Sequence, residues 1–445
     1  MPIVRERLDR RLFLRASALA AGSLAANPLR ALAALGETVE VTGEPVALRA
    51  AGNGGYGPLR PAGPELALPE GFSYVRFGAE GTPMSNGRPT PEVHDGMAAF
   101  PGPRGAVRLV RNHEIDGRHA AFASDAYDAT AGGGTTNLVF DTGTGRLLAS
   151  YPSLTGTVRN CAGGATPWGT WISCEETTDG ADHGYDRPHG YCFEVPAGAV
   201  TPVRALPLRA MGRFQHEAVC VDRVRGDVYL TEDQDTAGFY RFRPRVKGAL
   251  AAGGKLAMLG IAGRPGYDTR TGQQRGAVLP VTWVDIPDPD PGDAGRHPLA
   301  VFHQGRSRGG ALFTRLEGCF WHRGRVVIVS TEGGNAGIGQ VWEYRPGRNF
   351  LSLAFESPSA DVLRKPDNVT ATPRGGLLLC EDGPGHDRIQ GLDPDGRVFD
   401  FARNRFSDGE FAGATFSPDG KVLFVNVQRP GVTFAITGPW KRGAL

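Results

Sequence analysis

The stretch 160-NCAGGATPWGTWISCEET-177 sets a cysteine in a glycine-rich bend and, beyond a short aromatic run, a carboxylate pair whose second member, Glu176, stands fifteen residues after Cys161. Alone, such a thiol reads as half a disulfide or as buried filler, and an acidic pair at a strand end as a solvated edge. The pattern recurs, however, in 216-HEAVCVDRVRGDVYLTEDQ-234, 317-EGCFWHRGRVVIVSTEGG-334 and 366-PDNVTATPRGGLLLCEDG-383. Each copy has a polar residue, an apolar strand, a turn, a second apolar strand and an acidic end. Glu217 to Glu232 and Glu317 to Glu332 span fifteen residues and Asp367 to Glu381 fourteen.

Two weaker copies flank these, 107-VRLVRNHE-114 and 410-EFAGATFSPDGKVLFVNVQ-428, the last ending in Asn and Gln instead of acids. The second strands then end at Glu114, Glu176, Glu232, Glu332, Glu381 and Gln428. Most repeats run to about 50–60 residues, the length of a four-stranded propeller blade. One gap is widened by a Pro- and Gly-rich insertion near residues 244–312. Arg225-Gly226, Arg323-Gly324, Gly375-Gly376 and Asp419-Gly420 each split two apolar runs, as hairpin turns do. The expected fold is an all-β, six-bladed β-propeller forming one domain over residues 34–445, with a metal site in the central channel. A seven-bladed propeller and a pair of β-sandwiches are the alternatives.

Composition agrees with many short elements joined by turns: Gly 64 and Pro 34 in 445 residues. The net charge is +2 and no basic block is present to track a phosphate backbone, so nucleic acid is not an expected partner. Beyond the first 35 residues no apolar run approaches the ~20 needed to cross a bilayer. The N-terminus carries Arg10-Arg11-Leu12-Phe13-Leu14, an apolar run from Ala16 to Leu35 and the small-x-small site Ala31-Leu32-Ala33. Residues 1–33 therefore read as a twin-arginine signal peptide, with Asp9 where Ser or Thr is usual, and imply export to the periplasm or beyond. Of six cysteines, Cys174, Cys192, Cys220 and Cys380 fall in apolar strands and read as small buried hydrophobes.

In a propeller the inner strands converge on one channel, so a side chain repeated in register becomes a ring. Glu176, Glu217, Glu232, Glu317, Glu332, Asp367, Glu381 and Asp382 would crowd like charges that only cations make tolerable. Carboxylates are hard ligands suited to calcium or oxidised iron. Cys161 occupies the repeat position of Glu217, Glu317 and Asp367, and a thiolate there points to a transition metal as well. Arg315, two residues before Glu317, would face the same mouth as an anion clamp or as a salt-bridge partner of an acid. Asn137 in GGGTTN is a further polar candidate. His94, His113 and His216 read as structural. The sequence has no G-x-S-x-G elbow, P-loop, H-E-x-x-H helix or Rossmann fingerprint, so covalent serine catalysis finds no support.

The ordered motifs RNHE, NCAGGATPWGTWISCEET, GRFQHEA, YLTEDQDTAGFYRF, LEGCFWHRG, STEGGNAGIGQVWEY, PDNV, CEDG and EFAGATFSPDGKVLFVN together resemble the PhoX family of bacterial secreted alkaline phosphatases, over about residues 70–437. The resemblance implies a six-bladed propeller, twin-arginine export, and a pocket with a pair of ferric ions (Fe3+) and several calcium ions (Ca2+). It implies Cys161 as a catalytic bridging ligand, with Glu176, Glu217 and Glu317 nearest the iron. Arg315 would contact phosphate, and the acids of the TED, PDN and CEDG motifs would bind calcium. A monomer acting on small phosphate esters is expected. The other functions weighed are a propeller phosphodiesterase or calcium-dependent lactonase, and a non-catalytic calcium-stabilised binding propeller. A binding module needs neither Cys161 nor Arg315, and a lactonase needs no thiolate.

Overall fold

The computed structural model describes residues 48–445; the signal peptide expected at 1–33 lies outside them. Following two short strands, β1 (Leu59–Pro61) and β2 (Leu66–Pro69), and β3 (Ser73–Phe77), the chain runs as successive antiparallel meanders. The first is β4 (His94–Pro101), β5 (Val107–His113), β6 (Gly133–Asp141) and β7 (Arg146–Thr157). The next is β8 (Asn160–Ala165), β9 (Thr170–Glu175) and β10 (Cys192–Pro196). Then come β11 (His216–Val221), β12 (Val228–Glu232), β13 (Phe239–Pro244) and β14 (Gly254–Ile261), with β15 (Val278–Asp285) in the insertion. After these run β16 (Leu316–His322), β17 (Arg325–Ser330), β18 (Gln340–Arg345) and β19 (Phe350–Glu356). Two meanders follow: β20 (Pro366–Ala371), β21 (Leu377–Glu381), β22 (Arg388–Leu392) and β23 (Val398–Asn404), then β24 (Phe411–Phe416), β25 (Val422–Val427) and β26 (Val432–Thr437).

The arrangement is all-β and propeller-like, but its hydrogen bonds define five sheets among the described residues, not six separate blades. The cause is β15, which pairs with β14 on one side and β19 on the other and so fuses two meanders into a nine-stranded sheet. β3 pairs with β26, so a strand from the beginning of the described chain completes the sheet built by its end. β1 and β2 extend the sheet of β20–β23 in the same way.

Strands such as 422-VLFVNV-427 are buried at every position, because each sheet packs against neighbours on both faces. Trp342, Tyr229, Tyr344 and Phe239 form a core between the two meanders of the nine-stranded sheet, and Phe77, Phe140 and Phe424 one between separate sheets. All six cysteines are buried and free. The Arg323-Gly324 turn has positive φ at both residues (48° and 80°), the twist that a two-residue hairpin loop needs.

Each meander begins with a hairpin bearing the same irregularity. Between His94 and Met97, Asn160 and Gly163, His216 and Val219, Leu316 and Cys319, Pro366 and Val369, and Ala412 and Thr415, the first strand has one residue more than its partner. Such a β-bulge re-aims a side chain that regular alternation would send elsewhere. The second residue of each bulge is Gly96, Ala162, Ala218, Gly318, Asn368 or Ala414. Five of these six are Gly or Ala, and at the two glycines smallness has a steric reason: a Cβ on Gly96 would lie 2.7 Å from Ala162 Cα, and one on Gly318 2.6 Å from the Asp367 carbonyl oxygen.

Candidate functional site

The first residue of each bulge is Asp95, Cys161, Glu217, Glu317, Asp367 or, in the last hairpin, Gly413. The five side chains other than glycine, with Glu114 and Glu176 just after the second strands, form three donor groups: Asp95–Glu114–Cys161, Cys161–Glu176–Glu217 and Glu217–Glu317–Asp367. Within each group the donor atoms lie within 4.8 Å of one another. Cys161 and Glu217 each belong to two groups, so the three form one continuous cluster.

A second tier comes from the residues that follow the second strands. The amides of Glu114, Glu176, Asp233, Thr331, Asp382 and Gln428 donate to the carbonyls of Val93, Arg159, Gln215, Arg315, Lys365 and Glu410, which precede the bulges. Four of those carbonyl residues have positive φ: Val93 (52°), Arg159 (45°), Arg315 (41°) and Lys365 (41°). A non-glycine residue held there costs about 1–2 kcal/mol, and such strain gathers where a site over-determines the backbone.

The acidic pairs divide between two environments. In Glu175-Glu176, Glu232-Asp233 and Glu381-Asp382 the second acid joins the channel tier, and the first turns into its own sheet because side chains alternate along a strand. Glu175 accepts from the amides of Val158 (3.0 Å), Gly190 (2.8 Å) and Tyr191 (3.1 Å) and lies 2.6 Å from His189 Nδ1. Glu232 accepts from the Gly238 amide (2.9 Å) and Tyr240 hydroxyl (2.7 Å). Glu381 accepts from Arg388 twice (2.8 Å each) and from the Arg364 amide (2.9 Å).

Of the residues singled out from sequence, the structure therefore brings together Cys161, Glu176, Glu217, Glu317 and Asp367. Glu232 and Glu381 stand one register position away, facing their blades. Glu332 follows Thr331, is half-exposed, and takes the Lys365 ammonium at 2.7 Å. Asp382 is at the rim, half-buried, where its charge acts on Asp367. Asn137 lies on β6, the third strand of its sheet, with its amide donating to the carbonyls of Pro196 and Ala199 (3.0 Å each), outside the cluster. His94, His113 and His216 are buried and tied to the backbone carbonyls of Pro91, Glu92 and Gly212.

Sequence reasoning missed Asp95, Glu114, Asp233, Glu410 and Arg159. A signal for Asp95 was present in 94-HDG-96, which matches the bulge of 160-NCA-162 and 316-LEG-318. Glu410 and Gln428 fill the side where the sixth bulge has only glycine: the Gln428 amide nitrogen donates to Glu410 (2.6 Å), Glu114 (2.8 Å) and Asp95 (3.1 Å).

Electrostatics mark this as a site out of balance. Nine carboxylates, Asp95, Glu114, Glu176, Glu217, Asp233, Glu317, Asp367, Asp382 and Glu410, influence one another, with Arg159, Arg315 and Lys365 among them. Burial, then the charges of Glu317, Asp367 and Glu176, holds Glu217 well above the carboxylate range. Burial and then Asp382 push Asp367 up to about 8. Burial, followed by Asp95 and Glu217, raises the Cys161 thiol. Neither oxygen of Glu217 accepts a hydrogen bond from an N–H or O–H donor, although both are buried. Unpartnered buried acceptors facing further acceptors are the donor set that a multivalent cation satisfies. The residues thus fit a metal centre.

Arg315 lies at the mouth, with Nη2 2.7 Å from Glu317 and Nε 3.0 Å from Asp233. Beside it opens a cavity of about 460 Å³ lined by Asp268, Arg270, Thr314, Glu332 and Asn335, so the insertion contributes to one wall.

The alkaline phosphatase PhoX family matches residues 54–147 and 141–431. The chain belongs to the PhoX family. It is therefore an alkaline phosphatase, and a hydrolase of phosphate esters. Among solved structures it is similar to Pseudomonas fluorescens PhoX in complex with vanadate, a transition-state analogue, at 17% identity and a TM-score of 0.64, covering 86% of this chain and 97% of that one. It also matches a streptogramin B lyase (12% identity, TM-score 0.43, 83% and 98% covered) and a gluconolactonase from Xanthomonas campestris (14%, 0.43, 85% and 99%). No curated protein matches. Among the described residues no helix is long and apolar enough to cross a membrane.

Proposed function

We propose that this PhoX alkaline phosphatase is a metal-dependent phosphomonoesterase whose centre is the cluster of Asp95, Glu114, Cys161, Glu176, Glu217, Glu317 and Asp367, at the axis of six blades. The six bulged hairpins support the blade count, with β15 as a strap across two blades. The observation that carries the metal reading is the sharing of Cys161 and Glu217 between adjoining donor groups. A thiolate among carboxylates suits a transition metal such as iron, and the all-oxygen group Glu217–Glu317–Asp367 suits calcium. Cations held there would supply Lewis acidity, drawing charge from the phosphate oxygens.

The remaining work falls to the chain. Arg315, fixed by Glu317 and Asp233, offers a planar fork to the phosphate. The bulges hold the donors on rigid strands, so little reorganisation accompanies substrate binding. The cavity beside Arg315 leaves room for the alcohol half of the ester.

Elemental analysis of purified protein, with hydrolysis of a chromogenic phosphate monoester, a diester and a lactone, tests this reading. Iron with calcium and fastest monoester turnover are expected; calcium alone without monoester turnover overturns it. The reading includes a monomer and twin-arginine export supported by Arg10-Arg11. Replacing both arginines with Lys should leave unprocessed enzyme in the cytoplasm, and size-exclusion chromatography checks the monomer.

A further inference from the structure

Arg315 has a counterpart. Arg159 stands two residues before Cys161 as Arg315 stands two before Glu317, and both have positive φ, 45° and 41°. Both carbonyls accept from a second-tier amide, Glu176 N for Arg159 and Thr331 N for Arg315. Each guanidinium meets two carboxylates. Arg159 places Nη2 2.8 Å from Glu176 Oε2 and Nε 3.8 Å from Glu114 Oε1, in the pattern that Arg315 makes with Glu317 and Asp233.

Exposure separates these arginines from simple buried bridges. Their side chains are 31% and 30% exposed, whereas Glu114, Glu176, Asp233 and Glu317 are at 14%, 8%, 7% and 5%. Each guanidinium thus caps its acids with one edge and turns the other toward solvent. Among the described residues the Nη1 of each has no hydrogen-bond partner. Arg159 holds Glu176 and Arg315 holds Asp233, the charge of Asp233 acts on Glu176, and both guanidinium charges act on Asp233, so the arginines flank this carboxylate pair. The third cation of this tier, Lys365, turns instead to Glu332.

A tetrahedral oxyanion over this mouth would meet a planar fork from each side. We infer that Arg159 is a second phosphate-binding arginine, donating to a non-bridging phosphate oxygen on the side opposite Arg315. The inference rests on the phosphatase site proposed above and adds to it a second fixed point, so that phosphate is oriented as well as attracted.

The test is competitive inhibition of monoester hydrolysis by inorganic phosphate and by vanadate, with metal content measured on the same samples. Arg159→Ala should raise Ki for both about tenfold or more, the loss of a charged hydrogen bond, with metal content unchanged. Arg159→Lys, which keeps a charge toward Glu114 and Glu176 but lacks the fork, should raise Ki less; it decides the matter if the alanine variant does not fold. An unchanged Ki, or a rise that follows lost metal in both variants, overturns the inference. If Arg315→Ala raises Ki while Arg159→Ala does not, only this inference falls. If the wild-type protein neither hydrolyses monoesters nor is inhibited by phosphate, the site reading itself falls.

Discussion

Glu381 and Asp382 are neighbours in sequence and differ in nearly everything else. Glu381 is fully buried and saturated by Arg388, Gln390 and the Arg364 amide. Asp382 is half-buried and adds its charge to an already crowded Asp367. Glu175-Glu176 and Glu232-Asp233 repeat the division. In each pair one acid has its partners supplied by the protein and ties a meander together, and the other faces more acids. An acid's place relative to the bulge, and not its type, decides which it becomes.

Exchanging a channel acid and a blade acid should therefore fail in opposite ways. Glu217→Gln removes a charge shared by two donor groups, so monoester turnover should fall about a hundredfold or more with loss of bound metal. Its metal-free form should melt higher than metal-free wild type, since one repulsive charge is gone. Calorimetry after chelation checks this, and a lower melting temperature would count against the crowding argument. Cys161→Ala should lose activity and iron together; activity retained would remove the thiol from the centre.

On the blade side, Glu381→Ala strands the Arg388 guanidinium and should destabilise by about 3 kcal/mol, read as a lower urea midpoint, while KM of the folded fraction stays within twofold. A larger change in KM than in stability would break the division between the two sets.

A finer test uses His189, buried between Glu175 and Asp128 at 2.6 and 3.4 Å. Burial opposes its charge, but Glu175 and then Asp128 outweigh it and raise its pKa above 6.5. Because the folded-state value is the higher, this contribution is complete below about pH 6.5 and disappears as pH climbs through the raised value. The enzyme should lose part of this tie on the alkaline side, and His189→Asn should flatten that loss in a series of melts against pH. The smallest effect is expected at Asn137: Asn137→Ala removes two hydrogen bonds for about 1–2 kcal/mol and leaves KM and kcat unchanged.

The sequence carried the repeat, the hairpin turns and the position of Cys161 opposite Glu217, Glu317 and Asp367, because periodic apolar strands and fixed spacings are local signals. It did not carry the one-residue offset. Fourteen- and fifteen-residue spacings aligned Glu232 with Glu176, yet the backbone pairs Glu232 with His216 and sends Asp233 to the channel. A bulge is invisible in composition, and slipping by one residue turns a strand over. The strap β15 escaped as well, since nothing in 278-VLPVTWVD-285 says that it joins two neighbours. Arg159 reads as an unremarkable arginine until Arg315 is seen in the same backbone pose.

The pairing of β3 with β26 bears on when this enzyme can begin to work. Strand 73–77 is made long before its partner, 432–437, so on the ribosome it has nothing to latch until that partner has been made. Asp95 meets the Asn426 amide and the Gln428 side chain only at that moment. A product truncated before β26 should carry most of the donor residues and still form no working pocket, which makes the synthesis of that strand a checkpoint for activity.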